Sequence, residues 1–113
     1  MKDNRLGNFE EELLLIVGIL AEEAYTLRIS EEYQEQAKRN ASVGSVHSTL
    51  NRLEKKGFLS SKMGDPSAIR GGRRKRIYEI TALGEQTLSA SRDFKLSLWR
   101  QYPPFSTGNL SFG

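Results

Sequence analysis

Apolar and polar positions alternate along this chain in a rhythm that changes twice. From Phe9 to Leu20, the residues Phe9, Leu13, Ile16 and Leu20 keep the three-or-four spacing of a helix face. Leu14, Leu15, Val17 and Ile19 widen that face over most of the circumference. A helix this apolar is either central to a core or covered in part by a partner chain. Asn8 is a suitable N-cap, and Glu10, Glu11 and Glu12 follow where the helix dipole favours anions. A second helix is expected from Leu27 to Lys38, capped by Thr26, with Ile29, Tyr33 and Ala37 inward. Lys38 and Arg39 belong to its last turn and Asn40 ends it. Ser42 caps a third helix, Val43 to Lys56, closed by Gly57 at the position after the cap. Its inner stripe is Val43, Val46, Leu50 and Leu53.

After Gly57 the period shortens. Phe58 to Met63 reads as a strand, and Gly64-Asp65-Pro66-Ser67 is dense in turn formers. A second strand runs through Ile77-Tyr78-Glu79 to Ile80, with Gly71 and Gly72 at the tip of the hairpin. The helical period returns at Ala82. Thr81 caps a fourth helix that continues to about Gln101, where Pro103-Pro104 stop it. Leu83 and Leu88 are placed to reach the core. Phe94, Leu98 and Tyr102 form a separate stripe beyond the domain edge, which suits a second copy of the chain. The expected fold is mainly α with a small β-hairpin: a winged helix-turn-helix followed by a C-terminal dimerisation helix. The expected divisions are 1–80 for the winged domain, 81–102 for the dimerisation helix and 103–113 for a tail. The tail keeps Leu110 and Phe112 and is either disordered or packed on the dimer.

Composition narrows the class. The chain has 113 residues, one domain by length. The absence of cysteine excludes disulfides and thiolate metal sites and suits a reducing, cytoplasmic setting. The run Leu13 to Ala21 is too short to span a bilayer, so no membrane partner is expected. One histidine, no cysteine and no carboxylate pair beside that histidine argue against an enzyme, a metal site or a cofactor. Arg70-Gly71-Gly72-Arg73 lacks the Gly-Lys-Ser/Thr of a phosphate-binding loop and leads into a strand, not a helix.

Charge changes the picture most. Residues 1–37 hold three Lys/Arg against nine Asp/Glu, whereas residues 38–76 hold eleven against two. A basic middle third on a chain of formal net charge +3 fits either a solvated charged face or the footprint of a polyanion partner. On the third helix the face opposite the apolar stripe carries Ser45, Ser48, Arg52 and Lys55, with Gly44 and Asn51 beside them and no acid. Small hydrogen-bonding side chains suit the approach to base edges, and cations suit the phosphates. His47, on the flank, is either a plain surface residue or a further contact. Arg70, Arg73, Arg74 and Arg76 on the wing would grip phosphates or the adjacent minor groove. Double-stranded DNA is therefore the expected partner. The alternative is a winged-helix protein-interaction module that does not touch DNA. On the fourth helix, Phe94 and Trp99 either anchor a dimer interface or sandwich a small aromatic ligand between two copies.

Several segments agree, in order and spacing, with one known family. They are Leu6-Gly7-Asn8-Phe9-Glu10-Glu11-Glu12-Leu13, then Ala24-Tyr25, then Ser42-Val43-Gly44-Ser45-Val46-His47-Ser48-Thr49-Leu50-Asn51-Arg52-Leu53-Glu54-Lys55-Lys56-Gly57. The wing Arg70-Gly71-Gly72-Arg73-Arg74-Lys75-Arg76-Ile77-Tyr78 and Thr81-Ala82-Leu83-Gly84 complete the set. Over roughly residues 6–90 the chain resembles the PadR family of bacterial winged-helix transcriptional regulators. The resemblance implies a homodimer that binds a pseudo-palindromic operator, usually as a repressor. In some relatives a small aromatic ligand at the dimer interface releases the DNA. Two positions depart from the family pattern: His47 stands where an aromatic, commonly tyrosine, is usual, and Thr26 where glycine is frequent.

Overall fold

The computed structural model describes residues 5–65 and 74–104. Its elements are α1 (Asn8–Leu20), a 3₁₀ turn (Ala21–Glu23), α2 (Thr26–Ala37), α3 (Val43–Lys55), β1 (Leu59–Met63), β2 (Arg76–Ile80) and α4 (Ala82–Gln101). Pro66, Ser67, Gly71 and Gly72 of the hairpin tip, and the tail from Phe105, lie outside the described residues.

The helix ends follow from who satisfies the first free N–H groups. Gly7, not Asn8, is the cap of α1, and Asn8 is its first helical residue. The reason is Glu10, whose Oε1 accepts the Gly7 N–H at 2.9 Å and replaces a capping side chain at the cap itself. At α2 the cap is Tyr25, and Thr26 is already helical. The helix then stops a residue early, at Ala37. Lys38 turns left-handed at φ 58°, which removes Lys38 and Arg39 from the last turn where the sequence pattern put them. Ser42 caps α3 by accepting the Ser45 N–H at 3.0 Å. Gly57, at φ 86°, takes the left-handed turn that frees the chain into β1. Thr81 does two jobs: its hydroxyl accepts the Gly84 N–H and donates to the Gly57 carbonyl at 2.6 Å. The start of α4 is thereby tied to the end of α3.

The two strands pair antiparallel, with Leu59 opposite Ile80, Ser61 opposite Tyr78 and Met63 opposite Arg76. Leu13, Leu14, Ile16 and Val17 of α1 pack with Ile29 and Tyr33 of α2 and Val46, Leu50 and Leu53 of α3. Phe58, Leu59 and Tyr78 close the core from the hairpin side. Each such side chain contributes about 1.5–3 kcal/mol by leaving water, so α1 is the hub that the other elements clasp.

Two apolar positions whose spacing placed them towards the core, Val43 and Leu83, lie outside it. Val43, the first residue of α3, is 44% exposed. Leu83 is 49% exposed. The core-facing side of α4 is instead set by Gly84, which is buried, and by Leu88 one turn later. A Cβ on Gly84 would collide with the Phe58 carbonyl oxygen, so the glycine is what lets α4 sit against the hairpin.

From Arg92 onward every residue of α4 except Ser97 is exposed. Phe94, Leu96, Leu98 and Trp99 are among them, and Tyr102, the cap that follows, is exposed too. On α1, Leu15 and Ile19 are also open, at 51% and 63%. Among the described residues no helix is long and apolar enough to cross a membrane.

Candidate nucleic-acid interface

The outer face of α3 is built by its own inner stripe. Burying Val46, Leu50 and Leu53 leaves Ser45, Ser48, Arg52 and Lys55 pointing out, and all four are exposed. Glu54, the single acid of α3, is half-buried and accepts the Ser61 hydroxyl of β1 at 2.7 Å. The negative charge is thus turned to the hairpin, and the outer face carries cations and hydroxyls only. His47 is exposed on the flank with its Nε2 3.3 Å from the Asn51 amide nitrogen, one turn further along.

The three cations near the end of α3 do not share one fate. Glu10 of α1 reaches across and its Oε2 accepts from Arg52 Nε and from Lys56 Nζ, each at 3.0 Å. Burial pushes the Glu10 carboxyl up, but the Gly7 N–H and the two cations outweigh that and hold it below the usual carboxylate range. Lys55 has no ion pair among the described residues. Arg52 is both exposed and tethered, a double condition the sequence pattern did not reveal.

On the wing, Arg74 and Arg76 are exposed and without an ion pair among the described residues. Arg70 and Arg73 lie outside the described residues. Lys75 differs from its neighbours. It is half-buried, with its ammonium 4.0 Å from the centre of the Tyr25 ring, a cation–π contact. Its carbonyl accepts the Gly64 N–H at 2.7 Å, one step beyond the Met63–Arg76 pair on the side of the tip. The alternation of an extended chain sends residues 74 and 76 one way and 75 the other, so this division was available from sequence. Glu10 was not: its partners lie 42 and 46 residues away.

The second candidate site is on α4. Phe94 is 65% and Trp99 69% exposed. Trp99 stacks edge-on against Tyr102 at 5.8 Å, and together with Lys95 and Leu98 they border an open recess of about 350 Å³. Phe94 does not line that recess. Among the described residues no group of His, Asp and Glu side chains is arranged to hold a metal ion.

Comparison with known proteins puts this geometry in context. A search of curated protein sequences gave no match. Solved structures share the fold. A PadR-like transcriptional regulator of Bacillus cereus is 20% identical, with 82% of this chain and 85% of that one aligned at a TM-score of 0.67. A PadR-like transcription factor of Bacteroides fragilis is 23% identical, with 80% and 84% aligned at 0.63. A PadR family transcription regulator of Clostridium difficile is 23% identical, with 83% and 97% aligned at 0.60. The family model described as the transcriptional regulator PadR-like family matches residues 15–90, which takes in α1 from its third turn, the helix-turn-helix, the wing and the start of α4. That match spans well over half of the 113 residues, and the chain belongs to the PadR-like family of transcriptional regulators.

Proposed function

We propose that the protein is a homodimeric repressor that acts on DNA in the cytoplasm. Residues 1–80 serve as the DNA-binding unit, 81–102 as the dimerisation helix and 103–113 as a tail. In this reading α3 enters the major groove, with Ser45, Ser48 and His47 near base edges and Arg52 and Lys55 towards the backbone. Arg70, Arg73, Arg74 and Arg76 hold phosphates or the adjacent minor groove from the wing. The observation that carries the reading is the outer face of α3: exposed hydroxyls and cations, with its one acid turned inward to Ser61. A solvated face with no partner has no reason to be cleared of acids.

Phosphate contacts give affinity without sequence, so the two arms of the grip are separable by experiment. Replacing Arg74 and Arg76 together by Ala should weaken binding to every DNA and reduce the salt slope by about two, one per phosphate contact. Replacing Ser48 by Ala should change the preferred sequence more than the general affinity. Unchanged affinity and slope in the double variant would remove the wing from the interface. The protein-interaction alternative predicts no gel shift with mixed genomic fragments at all.

A second reading concerns the α4 recess. Trp99, Tyr102 and Leu98 suit a flat aromatic ligand shared between two copies, and they equally suit a dry dimer contact. Titrating planar aromatic compounds against tryptophan fluorescence separates the two, since a dimer contact alone gives no saturable change.

A further inference from the structure

We propose that Glu10 is a positioning residue for the DNA grip: its buried carboxylate fixes the Arg52 guanidinium in advance of a phosphate contact. The proposal rests on the reading of α3 as the DNA-facing helix. Its geometry is a three-way anchor. Glu10 Oε1 is held by the Gly7 N–H at 2.9 Å, and Oε2 accepts Arg52 Nε and Lys56 Nζ at 3.0 Å each. The Glu10 side chain is only 9% exposed, while that of Arg52 is 52% exposed. Arg52 Nη2 also donates to Thr49 Oγ1 at 3.4 Å, and Thr49 is buried. Two of the five guanidinium N–H groups are therefore spent on the protein's own framework. The rest stay available on an exposed side chain whose rotamer is already chosen. The Glu10 carboxyl stays ionised at neutral pH, because the Gly7 N–H and the two cations outweigh its burial. Lys56, bound to the same oxygen and largely covered, serves as the second post of the anchor and not as a DNA contact.

The sign of one effect separates this role from its opposite. As a bare charge, a carboxylate beside a DNA-facing arginine repels phosphate, and removing it would tighten binding. As a positioning group it spares Arg52 the entropy of being ordered on the DNA, and removing it loosens binding. Glu10→Gln suits the test because its amide oxygen can keep the Gly7 bond while its NH₂ faces two cations it cannot satisfy.

The experiment measures affinity for mixed-sequence duplex DNA over a range of salt, for wild type, Glu10→Gln, Arg52→Ala, the double variant and Arg52→Lys, with melting recorded for each. We expect Glu10→Gln to bind roughly three- to tenfold more weakly. Arg52→Ala should bind more weakly with a salt slope lower by about one. In the Arg52→Ala background Glu10→Gln should no longer weaken binding, because only its charge effect is left. Arg52→Lys keeps the charge but not the planar fork, so it should fall near Glu10→Gln; this arm does not depend on Glu10→Gln folding. Tighter binding by Glu10→Gln, or the same loss in both backgrounds, or wild-type binding by Arg52→Lys, would overturn the positioning role. If Arg52→Ala itself changed neither affinity nor slope, the DNA-facing reading of Arg52 would fall, and this proposal with it.

Discussion

A single hydrogen atom is all that fits at Gly84. A Cβ there would meet the Phe58 carbonyl oxygen and come within 3.0 Å of Ile80 Cγ2, and a backbone carbonyl cannot swing aside as a side-chain tip can. Gly84→Ala should therefore cost about 1–3 kcal/mol, the usual penalty for overpacking. A melt several degrees lower checks it, and an unchanged melting temperature would show that the α4–hairpin contact is looser than described. Glu10 and Glu11, neighbours on α1, give a second residue-level expectation. Burial pushes both carboxyls up. The Gly7 N–H with Lys56 and Arg52 outweighs it at Glu10, and Lys95 with the Ser91 hydroxyl at Glu11, so both lie below their ordinary values. The folded state then binds fewer protons than the unfolded one. Their contribution is complete above the unfolded carboxylate range and is lost as pH falls through the lowered folded values. Melting temperature should hold steady from neutral pH down to about pH 5 and decline below it. A Glu10→Gln, Glu11→Gln variant should decline less steeply than wild type. At this scale the sequence was legible where the partner is local: Ser42 and Thr81 cap the helices they were expected to cap. Gly7 was missed although its partner is just as local, because Glu10, which accepts the Gly7 N–H three residues on, was already accounted for by the helix dipole.

At the scale of elements, periodicity was enough for α3, the paired strands and the extent of α4. It failed where two readings share a period. Leu83 and Gly84 compete for the inward side of α4, and hydrophobicity favours Leu83. Close packing against the Phe58 backbone decides for the glycine, with Leu88 one turn later on the same side. The end of α2 was misplaced for a similar reason. Lys38 suits a helix C-terminus electrostatically, but it takes a left-handed turn that begins the approach to Ser42. Among the described residues, the distal part of α4 is tied to its own domain by Lys95, which donates to Glu11 at 2.6 Å. Its apolar side chains, with Leu15 and Ile19 on α1, are left to another surface. If that surface is a second copy, Phe94→Ser with Leu98→Ser should convert a dimer to a folded monomer in sedimentation while helical content stays near wild type. A monomeric wild type at micromolar concentration, or a variant that remains dimeric, would remove α4 from the interface.

For the whole molecule, the segregation of charge acquires a shape. The acidic first third is mostly α1 and α2. The glutamates of α1 serve as internal anchors: Glu10 holds α3, Glu11 holds α4, and Glu12 accepts from the Tyr33 hydroxyl of α2. The basic middle third includes exposed cations with no ion pair among the described residues, cations tethered to the framework, and the wing-tip arginines outside the described residues. Lys55, Arg74 and Arg76 belong to the first group, Arg52, Lys56 and Lys75 to the second. The count of positive charge was plain in the sequence; this division was not, because it depends on contacts between elements far apart in the chain. The measurement that tests the central claim most directly is selection of bound sequences from a random DNA pool by the wild-type protein. Two recognition helices related by a two-fold axis should sit about 34 Å apart, one turn of B-DNA. The selected sequences should therefore be inverted repeats whose half-site centres are about ten base pairs apart. Enrichment of a lone asymmetric half-site, or no enrichment at all, would contradict the account.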